Sequence, residues 1–169
     1  MHLIEESVFI AAPPAKVWAI LIDLGTWSTW NTFVINAKTL PPHQRPVVGS
    51  EQVITVAAKS ASSSPAEYSN KTIAVKDELE LRWAGQLLFS AILHTEHWCL
   101  LESTNMDGVE GTMFMQGEKF EGLLVPVGKA MGLFEDMRQG YVRMNGDLKR
   151  VSEMVEMTHR KNEYSSATV

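Results

Sequence analysis

The C-terminal part of the chain carries a long apolar stripe at helical spacing. Its members recur every three or four residues and are Leu133, Met137, Tyr141, Met144, Leu148, Val151 and Val155. Burying such a stripe contributes on the order of 1.5–3 kcal/mol for each large side chain, so the helix needs a partner surface. Any fold for this chain must therefore supply a broad apolar face for one long helix.

Strand-like segments fill most of the chain before that helix. An alternating segment at 2–10 precedes a helix over 16–23, and Gly25-Thr26 separates this helix from a second, short one at 27–31. The other predicted strands are 33–40, 50–59, 71–76, 79–85, 95–102 and 112–120. Consecutive strands without crossover helices predict an antiparallel sheet, and with it the α+β class.

The length of 169 residues indicates one domain. We place that domain at residues 1–160, and we expect the polar residues 161–169 to form a frayed C-terminal tail. Residue Cys99 is the only cysteine, so it has no partner for an internal disulfide or for a shared zinc ion.

Charge and hydropathy exclude several classes of partner. The net charge is -5 and no run of lysine or arginine is present, which predicts neither nucleic-acid binding nor attraction to an anionic membrane. The first residues lack the basic and apolar regions of a signal peptide, and no segment is long enough to span a bilayer. We therefore expect a cytoplasmic protein without membrane insertion.

The dipeptide Asp107-Gly108 predicts a tight hairpin turn, since it suits the two central positions of a type I′ turn. Without a bulge, the turn places four pairs on one face of the hairpin. These pairs are Leu101 with Phe114, Cys99 with Gln116, His97 with Glu118, and Thr95 with Phe120. We expect this mixed apolar and polar face to point toward the C-terminal helix.

The pair of His97 and Glu118 is the candidate for proton transfer. A carboxylate opposite an imidazole orients the ring, and such pairs act as general acid or base. The alternative is a polar pair that only fixes the strand register. We find no glycine-rich phosphate loop, nucleophile elbow or metal-ligand spacing, so no cofactor and no metal are expected.

The other face of the same hairpin carries an apolar cluster formed by Trp98, Leu100, Met113 and Met115, which we call the outer patch. Soluble monomers usually avoid such a cluster on their surface. We expect it to be covered by a second copy of the chain in a homodimer with a two-fold interface. A loop of the same chain, such as the proline-rich segment 41–46, is the alternative cover.

Short motifs follow one another along the chain in a recognisable order. They include Ile10-Ala11-Ala12-Pro13, Trp30-Asn31-Thr32-Phe33, Leu81-Arg82-Trp83, Glu96-His97, Glu118-Lys119-Phe120-Glu121-Gly122 and Met144-Asn145. In this order the chain resembles the SRPBCC or START-like superfamily, and within it the polyketide cyclase/dehydrase subgroup. The resemblance implies the helix-grip fold, a curved antiparallel sheet wrapped round a long C-terminal helix. It implies further that two short helices follow the first strand and that a ligand cavity lies between sheet and helix.

The implied cavity supplies the candidate binding residues for a hydrophobic small molecule. They are Trp30, Asn31, Trp83, Cys99, Gln116, Tyr141 and Asn145. Packing is the alternative role for Trp30, Trp83 and Tyr141. Cys99 stands where the family usually has an aromatic residue, and its smaller side chain would widen the pocket beside His97.

The superfamily includes cyclases, lyases, hormone receptors and lipid carriers, so the resemblance implies no single activity. The first hypothesis is a cofactor-independent enzyme that cyclises, dehydrates or isomerises a polyketide-like or other carbonyl-rich molecule. His97 would exchange protons and Glu118 would orient it, while Asn31, Gln116 or Asn145 would bind a developing oxyanion. The second hypothesis is a non-catalytic binding or carrier protein for a hydrophobic metabolite or lipid.

Overall fold

The computed structural model describes residues 1–42, 44–57, 64–87 and 91–166. The strands are β1 (His2–Ile10), β2 (Val34–Leu40), β3 (Glu51–Val56), β4 (Ala66–Lys76), β5 (Glu80–Leu87), β6 (Leu93–Met106) and β7 (Val109–Glu121). The helices are α1 (Pro14–Leu21), α2 (Trp27–Trp30), α3 (Val125–Ala130) and α4 (Leu133–Ser166), with a 3₁₀ turn at Leu24–Thr26.

The seven strands form one antiparallel sheet in the order β1-β7-β6-β5-β4-β3-β2. Strands β2 to β7 follow one another through antiparallel neighbours, and β1 pairs with the last strand, β7. Helices α1 and α2 connect the two edges of the sheet. The predicted antiparallel sheet and the α+β class are confirmed.

Helix α4 packs on the inner face of the sheet through the predicted apolar stripe. Tyr141, Met144 and Leu148 of this stripe are buried, and so is Phe134, which the predicted stripe did not include. The Lys149 ammonium donates to the Phe9 carbonyl at 2.7 Å, and other polar contacts also fasten the helix to β1. The backbone of α4 continues to Ser166, beyond the expected domain limit at 160, and residues 167–169 lie outside the described residues.

The connection between α2 and β2 docks against the middle of α4. The Thr32 hydroxyl donates to Asp147 at 2.7 Å. The Phe33 ring lies so close to Gly140 that a Cβ there would come within 2.3 Å of it. This contact favours glycine at position 140 and brings Phe33 against α4.

The hairpin turn between β6 and β7 forms at the predicted dipeptide. Asp107 has φ 52° and Gly108 has φ 84°, the two positive values that a type I′ turn needs. The register follows without a bulge, so His97 lies opposite Glu118 and Cys99 opposite Gln116.

The structure corrects the bounds of several elements. Strand β4 begins at Ala66, five residues before the predicted start, and its first residues pair with β3. The prediction began too late because the segment 66–70 is largely polar and lacks a strand-like apolar alternation. The predicted strand at 50–59 ends at Val56, and residues 58–59 lie outside the described residues. Helix α3 was not predicted. Among the described residues, no helix has both the length and the apolar character needed to cross a bilayer.

Candidate functional site

A cavity of about 350 Å³ lies between the inner face of the sheet and α4. Most of its wall is apolar and includes Trp27, Phe33, Ile54, Phe120, Met137 and Met144. Of the predicted site residues, four line it, namely Trp83, His97, Glu118 and Tyr141. A largely apolar cavity with a few polar groups is the usual form of a small-molecule site.

His97 and Glu118 lie side by side in the wall of this cavity. The His97 Nδ1 atom is 3.8 Å from Glu118 Oε2, and both side chains are almost fully buried. This separation is longer than a hydrogen bond. The Trp83 ring stacks on the imidazole with their centroids 4.3 Å apart, which holds the ring in its plane.

Tyr141 on α4 completes this polar group. Its hydroxyl donates a short hydrogen bond to Glu118 Oε2, and its ring meets the His97 ring edge-on at 5.1 Å. Burial, together with the negative charge of Glu118, raises the pKa of Tyr141 well above its ordinary value. The phenol therefore stays protonated and acts as a donor.

Cys99 lies behind the imidazole rather than in the cavity wall. Its Sγ atom is 3.7 Å from His97 Nε2, and the side chain is fully buried. Burial raises the pKa of the Cys99 thiol far above its ordinary value, so the thiol is neutral. The expected widening of the pocket by Cys99 has no counterpart in the cavity lining.

Gln116 and Asn145 join β7 to α4 away from the cavity lining. The Gln116 Nε2 atom donates to Asn145 Oδ1 at 2.5 Å and to the Tyr141 carbonyl at 3.2 Å. Both side chains are buried. These hydrogen bonds fix the segment of α4 that carries the Tyr141 hydroxyl.

Trp30 and Asn31 are also buried outside the cavity lining. The Asn31 Oδ1 atom accepts from the backbone N–H groups of Phe33 and Val34, at 2.9 Å and 2.8 Å, and so closes an Asx turn before β2. An asparagine between a short helix and a strand is a sequence signal for such a turn. Trp27, and not Trp30, reaches the cavity.

Sequence reasoning missed the polar residues on the β4 side of the cavity. Tyr68 and Asn70 line it together with Gly85 and Thr95. The β4 residues were missed because the strand was placed too late in the chain. The sequence did predict the position of Thr95, because the hairpin turn placed it on the inner face.

The family model described as polyketide cyclase / dehydrase and lipid transport matches residues 1–153. The chain belongs to this family. The match covers the whole sheet and α4 as far as residue 153, and it confirms the resemblance stated from the sequence. No curated protein matches this chain in sequence.

Solved structures share the helix-grip fold at low sequence identity. The Zhui aromatase/cyclase from Streptomyces sp. R1128 is 13% identical, with a TM-score of 0.70 over 90% of this chain and 93% of that one. TTHA0849 from Thermus thermophilus is 13% identical, with a TM-score of 0.69 over 91% and 99%. MLL2253 from Mesorhizobium loti is 16% identical, with a TM-score of 0.63 over 90% and 98%. At such identities the likeness shows the fold alone.

Proposed function

We propose that this member of the polyketide cyclase/dehydrase family is a cofactor-independent enzyme of the cyclase or dehydratase type. It acts on a hydrophobic, carbonyl-rich small molecule held between sheet and helix. The observation that carries the proposal is the group formed by His97, Glu118 and Tyr141 in a largely apolar cavity. Buried ionisable groups in a ligand-sized cavity are typical of sites for proton transfer.

In the proposed step, His97 takes a proton from a ligand carbon next to a carbonyl group. The step uses the tautomer that carries its hydrogen on Nε2, the atom 3.7 Å from Cys99 Sγ, so that the lone pair is on Nδ1. The C–H bond breaks, the proton moves to Nδ1, and the electron pair stays on the ligand as an enolate. The carboxylate of Glu118, 3.8 Å away, stabilises the imidazolium that forms.

Tyr141 holds the Glu118 carboxylate in place by donating to it. The cavity lining does not include Asn31, Gln116 or Asn145. None of these residues therefore binds the enolate oxygen in the proposed step.

A binding or carrier protein is the second candidate, and one observation favours it. Both ring nitrogens of His97 face protein groups, Nδ1 toward Glu118 and Nε2 toward Cys99. Such an arrangement also suits a purely structural polar contact in a buried site. In this case the cavity binds a hydrophobic metabolite or lipid and releases it unchanged.

Deuterium exchange distinguishes the two candidates without knowledge of the substrate. The probe is 2-acetonaphthone, a planar ketone with exchangeable protons next to its carbonyl, incubated with the protein in D₂O and followed by proton NMR. We expect exchange above the buffer rate. His97→Ala and Glu118→Gln should each slow it by about 10²–10⁴-fold, the usual contribution of general acid–base catalysis.

The matched control is Ser103→Ala, because Ser103 is exposed on β6 outside the cavity and should leave the exchange unchanged. Saturable binding of the ketone without exchange would contradict the enzyme and support the carrier. Equal exchange in wild type and both site variants would assign His97 and Glu118 to structure.

We propose further that the outer patch pairs with a second copy of the chain. Leu100, Met113 and Met115 are half-buried, and with the exposed Leu79 they line a depression of about 320 Å³. Its charged neighbours, such as Glu102, would form the rim of a two-fold interface.

Sedimentation velocity at tens of micromolar protein tests this assembly. We expect a dimer for the wild type and a monomer for Met115→Glu, since an unpaired carboxylate would enter the interface. Ile73→Glu, at an exposed position on β4, should remain a dimer. A wild-type monomer would remove the interface from consideration.

A further inference from the structure

The cavity contains a second group of polar atoms on the inner face of the sheet, distinct from His97 and Glu118. It lies where β4, β5 and β6 are adjacent, at Asn70, Gly85 and Thr95. A Cβ built on Gly85 would come within 2.5 Å of Asn70 Oδ1 and 3.2 Å of Thr95 Oγ1. Two oxygen atoms therefore converge over the bare backbone of Gly85.

Both oxygens are available to a ligand. The Asn70 Nδ2 group donates to the Tyr68 carbonyl at 3.2 Å, which fixes the amide, because the opposite orientation would place two acceptors together. Within the described part of the chain, no hydrogen bond engages Asn70 Oδ1 or the Thr95 hydroxyl. An amide oxygen accepts only, so the group that it binds must be a donor.

The position relative to His97 restricts the shape of the ligand. Thr95 precedes His97 by two residues on β6, and Gly85 follows Trp83 by two on β5. Two residues along a strand span about 7 Å. The two polar groups are therefore separated by roughly the length of a bicyclic ring system, and the wall beside them includes Trp83 and Phe120.

We propose that Asn70 and Thr95 form a subsite for a hydroxyl group of a planar aromatic ligand. The subsite is accessible because Gly85 has no side chain between the two residues. The other polar end of the ligand lies at Glu118 and Tyr141. This inference rests on the proposed function in so far as the same cavity holds the ligand. It adds a feature of the ligand, an aromatic ring system with a hydroxyl group at the end that lies away from Glu118 and Tyr141.

Three naphthalene probes test the subsite by isothermal titration calorimetry. Naphthalene-2,6-diol carries both hydroxyls, 2-naphthol has one, and 6-methoxy-2-naphthol replaces the second hydroxyl by an ether that accepts but does not donate. We expect the diol to bind roughly two- to tenfold more tightly than 2-naphthol, the usual effect of one neutral hydrogen bond. The ether should lose this gain.

Variants then show which atoms produce the tighter binding of the diol. Thr95→Val keeps the shape and removes the hydroxyl, and Asn70→Ala removes the acceptor. Each should reduce the preference for the diol over 2-naphthol, and the double variant should abolish that preference. Gly85→Ala should have the same effect, because its Cβ displaces Asn70 from the subsite. Ser103→Ala is the control.

Equal affinity of wild-type protein for all three probes would overturn the subsite, and so would a preference for the diol that survives the double variant. Failure of all three probes to bind would also overturn it, whereas the proposed function is judged separately by the exchange of 2-acetonaphthone. A preference for the diol without ketone exchange would support the subsite and contradict the enzyme.

Discussion

The two faces of the hairpin formed by β6 and β7 share the same strands and the same turn, yet each face partly reverses the usual pattern. The inner face, toward α4, carries His97, Gln116 and Glu118, all buried. The outer face carries the apolar outer patch, whose members are only half-buried. Sheets normally place apolar residues inside and polar ones outside.

The covering of each face explains how the reversal is tolerated. On the inner side, α4 supplies the Tyr141 hydroxyl to Glu118. On the outer side, the Arg82 guanidinium lies 5.5 Å from the Trp98 ring. Salt bridges to Glu80 at 2.7 Å and to Glu96 at 2.5 Å hold it there. Departures from the ordinary pattern are expected where a fold carries function, and here both faces depart together.

Two adjacent leucines give the largest expected contrast. Leu101 on the inner face is 3% exposed, so Leu101→Ala should leave a cavity and lower the free energy of unfolding by about 2–5 kcal/mol. Leu100→Ala on the half-buried outer face should cost about 1 kcal/mol or less. Urea denaturation measures both. Equal losses would show that the outer face is as fully packed as the inner one.

Two glycines of α4 sharpen the contrast between packed and open surfaces. Gly140→Ala would push a methyl group against the Phe33 ring and should destabilise the fold by about 1–3 kcal/mol. Gly146 has open space around its Cβ position, so Gly146→Ala should stabilise the helix by about 0.5–1 kcal/mol. The midpoint of thermal unfolding should fall below that of wild type for Gly140→Ala and rise above it for Gly146→Ala. A rise in both variants would contradict the close contact between Gly140 and Phe33.

The smallest expected effect concerns Glu80, which forms salt bridges with Lys76 and Arg82 on the outer side of the sheet. A hydrogen bond from Lys76, with a further one from Arg82, lowers the pKa of Glu80 below its ordinary value, against the opposing effect of burial. A lowered pKa in the folded state stabilises the protein above the unfolded-state pKa of Glu, and this contribution is lost as the pH falls through the folded value.

Glu80→Gln should therefore cost about 1 kcal/mol or less at pH 7, and the difference from wild type should disappear in acid. Urea denaturation at a series of pH values measures it, with the exposed Glu102→Gln as control. A loss that persists unchanged in acid would show that Glu80 acts through packing rather than charge.

Local signals were enough to predict the sheet class and the hairpin register. The turn at Asp107-Gly108 placed His97 opposite Glu118, because a two-residue turn fixes every pair that follows it. The rotation of α4 about its axis has no such local signal. Its apolar stripe showed that Tyr141 faces the sheet but not that its hydroxyl reaches Glu118.

Buried amide side chains were the hardest to place. Asn31 accepts hydrogen bonds from the backbone of Phe33 and Val34, and Gln116 donates to α4, so neither lines the cavity. Asn70 and Gly85 come together in the cavity wall only because β4 pairs with β5. That pairing depends on contacts between distant segments, which propensity and spacing do not encode.

The pairing of β1 with β7 also determines when the protein can finish folding as it is synthesised. His2 lies opposite Phe120, so the partner of the first strand is made more than a hundred residues later. At the usual rates of translation, β1 waits on the order of ten seconds on the ribosome with its backbone unpaired. Such distant pairing gives the chain a high contact order and makes the last step of folding slow.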